Sequence, residues 1–99
     1  MRYSELLLMD WQQEQLISAL RAHATDKRAL VNFIEVILSD REFEGISTRL
    51  EILRALIEGH ESHRTIADRL KVSIATVTRM GNIARTRTDA CTKVIQRMK

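Results

Sequence analysis

Apolar residues recur three and four positions apart along most of the chain, which is the spacing of one face of an α-helix. A first helix is predicted from Ser4 to about His23, with an apolar face made by Leu7, Leu8, Trp11, Leu16, Ile17 and Leu20. A second is predicted from an Asp26 cap to Leu38, with apolar residues at Leu30, Val31, Phe33, Ile34, Ile37 and Leu38. So many apolar residues do not fit one narrow stripe, so this helix needs burial on more than one side.

Polar caps and glycines divide the rest of the chain into shorter predicted helices. A short helix opened by Ser39 and Asp40 is expected to end near Gly45, and a separate one to run from a Ser47 or Thr48 cap to Gly59. Three more are predicted over 62–70, 73–85 and 88–98. Because the chain has no Pro, only three Gly and no alternating strand pattern, we predict an all-α fold of about six helices. Trp11, Phe33 and Phe43 are expected in its core.

A chain of 99 residues forms at most one domain. Such a domain buries a modest share of its surface, so partnering with a second copy would help its stability. We predict a single domain over 1–99, with dimerisation helices in 1–45, a head in 46–86 and a C-terminal helix in 87–99.

The charge is uneven: residues 60–99 carry nine Lys/Arg against three Asp/Glu, a net of +6, whereas residues 1–59 have a net of −3. Only the second half resembles a polyanion-binding surface.

The segment 63–82 has the spacing of a helix-turn-helix. Ala67 is small where the two helices must cross closely, and the core between them is expected to contain Ile66, Leu70, Val72, Val77 and Met80. Lys71 occupies a turn position that is usually Gly because the backbone there needs positive φ, at a cost of about 1 kcal/mol. The alternative is that 63–82 is only a pair of packed helices.

A helix-turn-helix presents the first turn of its second helix to the major groove of DNA. Arg64 has the two-pronged donor that guanine accepts, Ile74 and Ala75 suit apolar contacts to bases, and Thr76 and Thr78 suit phosphates. The candidate DNA-binding residues are Arg64, Ser73, Ile74, Ala75, Thr76, Thr78, Asn82 and Arg85.

The segment from about Val36 to Arg85 resembles the Trp repressor family, most specifically in the stretch 74–79, with Thr48, Arg49 and the helix ending at 56–59 as further matches. The resemblance implies an intertwined homodimer with one helix-turn-helix head per chain. It implies a transcription repressor of double-stranded operator DNA, controlled by L-tryptophan or an indole-like aromatic corepressor. Ala67 stands where the family has a base-contacting lysine, so a different operator is expected.

The resemblance also implies a ligand site. Arg49 and Arg79 match the arginines that sandwich the indole, Ser39 matches a hydroxyl that holds the carboxylate, and the carbonyls of Val36 and Leu38 of the other chain match those that face the ammonium. Met80 replaces a glycine and Ile83 replaces a serine that contacts the ammonium. Both changes add bulk and apolar character, which predicts weaker tryptophan binding or a different aromatic ligand. Taken alone, the two arginines would more often be exposed, or paired with acids such as Glu42 or Glu51.

Other functions find little support in the sequence. His23, His60 and His63 are scattered, the single Cys91 has no nearby His, and there is neither a metal-site spacing nor a Gly-rich phosphate loop, so no enzyme and no metal site are predicted. With no signal peptide and no membrane-spanning stretch, a cytoplasmic protein is expected. The alternatives are a repressor of this kind with a different ligand or none, and a basic helical module that binds an acidic protein.

Overall fold

A computed structural model describes residues 9–99 of the chain, and these residues form helices and no strand. The all-α prediction is therefore confirmed. The helices are α1 (Trp11–His23), α2 (Lys27–Ile37), α3 (Asp40–Glu58), α4 (His63–Leu70), α5 (Ile74–Thr86) and α6 (Thr88–Gln96).

The first helix of the described residues, α1, begins at Trp11, whereas the sequence pattern predicts one continuous helix from Ser4 to about His23. Asp10 has extended backbone angles, and its carboxylate accepts a hydrogen bond from the Gln13 N–H at 2.9 Å. The Gln13 side chain accepts one in return from the Asp10 N–H at 3.1 Å, which completes a capping box. A continuous helix from Ser4 is therefore wrong at residues 9 and 10, and the expected positions Ser4, Leu7 and Leu8 lie outside the described residues.

The second helix agrees with its prediction. Asp26 caps it by accepting a hydrogen bond from the Arg28 N–H at 3.0 Å, and the backbone becomes extended at Leu38. α1 and α2 pack together, and the rings of His23 and Phe33 have their centroids 4.8 Å apart.

The third helix corrects the prediction of a break near Gly45. α3 runs without interruption from Asp40 to Glu58, so the expected cap at Ser47 or Thr48 lies inside it. Glycine in a helix costs only about 1 kcal/mol relative to alanine, which long helix-forming flanks outweigh. Gly59, by contrast, has a φ of 73° and ends the helix as predicted, because glycine adopts the left-handed conformation at little cost.

The described chain divides into two compact units, with the boundary between Phe43 and Glu44. The C-terminal unit, Glu44–Lys99, has two clusters of buried side chains, one made of Ile52, Ala55, Ile66, Ala67 and Val77 and the other of Leu53, Cys91 and Ile95. These clusters fix how α3, α4, α5 and α6 pack within that unit.

In the N-terminal unit, no side chain of residues 9–43 is buried in the single chain. Trp11 is 72% exposed and Phe43 is also exposed, so the expectation that they lie in the core is wrong for one chain alone. Phe33 is partly buried. Other large apolar side chains of this unit are exposed as well: Leu16, Ile17, Val31, Val36 and Ile37.

Candidate nucleic-acid interface

Two serine caps mark the N-termini of the two helices that the sequence analysis assigns to DNA binding. The Ser62 hydroxyl accepts a hydrogen bond from the Thr65 N–H at 3.1 Å at the start of α4. The Ser73 hydroxyl accepts one from the Thr76 N–H at 3.1 Å at the start of α5. Each cap satisfies a backbone donor that the helix itself leaves free. Both helix starts agree with the sequence prediction.

The turn between α4 and α5 is held by one carbonyl. The N–H of Lys71 donates to the carbonyl of Ala67, and the N–H of Val72 donates to the same oxygen at 3.0 Å. Lys71 has a φ of 58° and a ψ of 44°, so the left-handed conformation expected at this position is present with a lysine in it. The side chain of Ala67 is almost wholly buried, as its place at the crossing of two helices predicts.

One face of α5 is buried and the other is exposed. Val77 is completely buried together with Ile66 of α4 and Ile52 of α3, and Leu70, Val72 and Met80 pack against the same cluster. The predicted small core between the two helices is therefore present, and α3 completes it.

The candidate DNA-binding residues all lie in the C-terminal unit, on α4, on the turn or on α5. Thr76 is partly buried, and its hydroxyl lies 2.8 Å from that of Ser73. The guanidinium of Arg85 donates to the Asn82 side-chain oxygen at 3.4 Å. The exposed members of the set are Arg64, Ser73, Ile74, Ala75, Thr78, Asn82 and Arg85.

An ion-pair network that the sequence analysis missed joins α4 to α3. Arg69 of α4 donates two parallel hydrogen bonds to Glu61, both at 2.8 Å, and one to Glu51 of α3 at 3.1 Å. Glu51 also accepts from Arg54 one turn along α3, and Arg54 reaches Glu58 at 2.6 Å. The helical spacing of Glu51, Arg54 and Glu58 signals part of this network, but no local pattern points to Arg69.

The network sets the electrostatics of its carboxylates. The hydrogen bond from Arg54, with a smaller one from Arg69, lowers the pKa of Glu51 to about 2 despite the opposing effect of burial. A hydrogen bond from Arg69 also lowers the pKa of Glu61, and one from Arg54 lowers that of Glu58. All three acids are therefore charged at neutral pH and hold the arginines in place.

The two arginines assigned to a ligand belong to the C-terminal unit and are exposed. Within residues 9–99, neither Arg49 nor Arg79 forms an ion pair. The acids considered as their partners are engaged elsewhere: Glu51 binds Arg54 and Arg69, and Glu42 accepts a hydrogen bond from the Ser39 N–H at 2.9 Å. Both guanidinium groups are thus available to an external anion.

The remaining residues of the predicted ligand site differ in their surroundings. Met80 is partly buried and packs against both apolar clusters, and Ile83 packs against the second. Val36, Leu38 and Ser39 belong to the N-terminal unit, where Val36 is 75% exposed. The Ser39 hydroxyl accepts a hydrogen bond from the Glu42 N–H at 3.1 Å, which leaves its own proton free to donate.

Two of the three histidines and the cysteine lie against other parts of the chain. The His23 ring nitrogen lies 2.6 Å from the Ala19 carbonyl oxygen, and the His63 ring lies against Gly81. Cys91 is buried in the second cluster. Across the described residues, no group of His, Cys, Asp and Glu could hold a metal ion. No helix of residues 9–99 is long and apolar enough to cross a membrane.

Comparison with known proteins assigns the family. The family model described as Trp repressor protein matches residues 11–99. A protein of Vibrio vulnificus (strain YJ016) named Trp operon repressor homolog is 32% identical over 80 residues, covering 81% of this chain and 76% of its own length. A protein of the same name from Chlamydia trachomatis serovar D is 38% identical over 56 residues, covering 57% of this chain and 60% of its own length. No solved structure matches the chain significantly. The chain therefore belongs to the Trp repressor family, whose members are DNA-binding transcription repressors.

Proposed function

We propose that a homodimer of this chain represses transcription by inserting the first turn of α5 of each chain into the major groove of a two-fold symmetric operator. The observation that carries the proposal is the division of α5 into two faces. Val77 anchors one face in a completely buried cluster, while Ile74, Ala75 and Thr78 are exposed on the remainder. A helix held rigidly from behind, with its first turn free, suits the reading of base edges.

The exposed side chains divide by chemistry into those that distinguish bases and those that hold phosphates. Arg64 can donate two hydrogen bonds to guanine, and Ile74 and Ala75 can contact thymine methyl groups. Thr78, Asn82 and Arg85 are polar and suit phosphate oxygens. The hydroxyls of Ser73 and Thr76 contact each other, so their main contribution is to stabilise the start of α5.

The burial pattern of the N-terminal unit supports the homodimer. Residues 9–43 bury no side chain in the single chain and expose large apolar residues of both α1 and α2. Soluble proteins usually cover large exposed apolar surfaces with a partner. A second copy of the same unit would cover it. Dimers of the helix-turn-helix class, the Trp repressors included, contact half-sites about one DNA turn apart.

Selection of duplexes from a randomised library, followed by sequencing, tests the DNA-binding proposal. The parent protein is expected to select a two-fold symmetric site. Arg64→Ala is expected to lose about 1–3 kcal/mol of binding free energy and to relax the preference at one base pair in each half-site. Thr78→Ala is expected to weaken binding to all sequences alike. Arg21→Ala, which removes an exposed arginine from α1, is the matched control and should change neither quantity. Unchanged preferences in Arg64→Ala would show that its assigned role is wrong.

For the effector, we infer an aromatic ligand with a carboxylate, L-tryptophan or an indole-like molecule, held by Arg49 and Arg79. Two exposed guanidinium groups without acidic partners among residues 9–99 support this, because arginine both pairs with carboxylates and stacks on aromatic rings. Ser39, Val36 and Leu38 remain predictions that rest on the resemblance. A ligand of this kind controls repression only if it binds the DNA-competent arrangement more tightly than the other.

Calorimetry on the dimer tests the effector. Arg79→Ala is expected to abolish binding of the aromatic ligand, since the carboxylate loses its charged partner. Met80→Gly with Ile83→Ser is expected to strengthen tryptophan binding about tenfold, because the wall becomes smaller and gains an acceptor for the ammonium. Both side chains pack on apolar clusters, so this double variant must first be shown to be folded. Tryptophan affinity no better than that of the parent would mean that the ligand site lies elsewhere.

A further inference from the structure

Lys71 holds a backbone conformation that lysine rarely adopts. It is the one residue other than glycine with positive φ among residues 9–99. Where the chain has a left-handed residue after α3, it places a glycine, Gly59, whose φ is 73°. At the turn between α4 and α5 it places a lysine instead, at a φ of 58°. Left-handed angles bring the β-carbon of an L-residue close to the following carbonyl oxygen, so glycine is the less strained choice.

Packing does not explain the lysine. The turn itself is fixed by the backbone, through the two hydrogen bonds to the Ala67 carbonyl, and by Val72, which packs on the first apolar cluster. The Lys71 side chain is exposed, and within the described part of the chain its ammonium has no hydrogen bond and no ion pair. A strained residue whose exposed side chain forms no hydrogen bond and no ion pair within the described residues points to a role outside the fold.

The position of the turn indicates that role. Lys71 comes two residues before Ser73, the cap of the helix that the proposed function places in the major groove. The start of a helix inserted in a groove lies near the phosphates that line it, and free backbone N–H groups there already favour anions. An ammonium on a flexible stem is a compact point charge that suits a phosphate better than a base edge.

On the basis of the proposed function, we propose that Lys71 binds a backbone phosphate of the operator DNA, and that this contact is why the turn carries a strained lysine in place of glycine. The contact adds affinity without sequence preference. It also links two measurable properties with opposite signs, since removal of the lysine relieves strain in the protein and weakens its complex with DNA.

Four variants separate charge from strain. Lys71→Gly removes both, Lys71→Asn removes the charge at a position where asparagine tolerates the left-handed conformation, and Lys71→Arg keeps both. Lys27→Gln, on α2, is the matched control, because it removes the same charge from an exposed lysine outside the turn. Each protein is titrated with a duplex that the parent selects from a randomised library, and with a duplex of random sequence, over a range of salt concentrations. Thermal unfolding is measured in parallel.

The expected result is a lower affinity of Lys71→Gly and Lys71→Asn for both duplexes, by roughly threefold to tenfold at moderate salt. Their slopes of log affinity against log salt should be shallower by about 2 for a dimer, one phosphate per chain. Lys71→Gly should nevertheless melt higher, by about 2–5 °C, since it relieves the strain. Lys71→Arg should retain the slope, and Lys27→Gln should match the parent in both affinity and slope.

Several outcomes would overturn the proposal. If Lys71→Gly had the affinity and the salt slope of the parent, Lys71 would not bind a phosphate, while the proposed function would still stand. An equal loss in Lys27→Gln would reduce the effect to net charge, and altered base preferences in Lys71→Gly would make the lysine a base contact. A parent that binds no duplex would overturn the proposed function, and the role of Lys71 with it.

Discussion

The two units of this repressor differ in where their apolar side chains lie. In the C-terminal unit, Ile52, Ile66 and Val77 are fully buried within one chain, and α6 adds a second cluster. In residues 9–43 of the N-terminal unit no side chain is buried, although α1 and α2 both have large apolar residues. Both units therefore have amphipathic helices, but apolar side chains are buried within one chain only in the C-terminal unit.

The difference shows which unit carries its own stability. A buried cluster stabilises by the apolar area that it removes from water, so the C-terminal unit has a source of stability within one chain. Residues 9–43 of the N-terminal unit have no such buried cluster within one chain. Under the proposed function, a second copy of the chain covers the exposed apolar side chains of the N-terminal unit. The C-terminal unit then binds DNA, and the N-terminal unit forms the dimer.

The largest expected effect tests whether the N-terminal unit forms the dimer. Ile17→Asp places a charge at an exposed position of α1. In a monomer such a change alters stability by within about 0.5 kcal/mol, whereas at a dimer core it leaves a buried unpaired charge that costs about 3 kcal/mol or more. We expect loss of the dimer in sedimentation and an unfolding midpoint at much lower urea. Gln15→Asp, on the same helix, should behave like the parent. If both variants sediment as the parent does, the apolar face of α1 is not the dimer surface.

The next largest effect tests the buried cluster of the C-terminal unit. Ile52→Ala removes three carbons from a completely buried side chain and should cost about 2–4 kcal/mol through lost burial and the cavity left behind. Ile52→Val should cost about 1 kcal/mol on the same grounds. Urea denaturation measures both values, and sedimentation should show an unchanged mass. Dissociation of the dimer without loss of helical signal would contradict the assignment of this cluster to one chain's own stability.

The same contrast explains how far the sequence alone reaches. The α4 and α5 helices, their serine caps, the left-handed turn and the small core are predictable because each signal lies within about 20 residues and has a local physical cause. The Glu51–Arg69 ion pair joins residues 18 apart in sequence on different helices, so only the folded arrangement reveals it.

Burial in the N-terminal unit is beyond prediction for a different reason. Periodicity shows which face of a helix is apolar but not whether the same chain covers it. It therefore predicts a buried Trp11, whereas Trp11 is exposed in one chain. At the candidate site the sequence supplied the residue types, yet could not show that Thr76 is engaged with Ser73 or that Met80 packs against two clusters. Those facts depend on side-chain contacts rather than on spacing.

A smaller effect concerns the ion pairs of the C-terminal unit. The pKa of Glu51 is lowered to about 2 in the folded chain from an ordinary 4.5, so its contribution to stability is complete above about pH 4.5 and is lost as the pH falls towards 2. Glu51→Gln should therefore lower the free energy of unfolding by about 1 kcal/mol at pH 7, a value typical of a partly exposed network, and by much less near pH 2. Glu44→Gln removes an exposed acid from the same helix and is the control. A difference between Glu51→Gln and the parent that persists unchanged at low pH would show that lost packing, not charge, is responsible.

The smallest effect tests the helix in which the boundary between the two units falls. Gly45 lies inside α3, and a β-carbon added there meets no atom within 4 Å, so Gly45→Ala should stabilise the protein by about 0.5–1 kcal/mol through the better helix propensity of alanine. Gly59→Ala is the matched comparison, because it has equal space around it but a φ of 73°, and it should destabilise by about 1 kcal/mol. Urea denaturation of the two variants therefore gives shifts of opposite sign. If the helix instead broke at Gly45, as the sequence pattern suggested, alanine there would lose the benefit of helix propensity, and Gly45→Ala would be neutral or destabilising. A stabilising Gly45→Ala would thus support an α3 helix that is uninterrupted at this position.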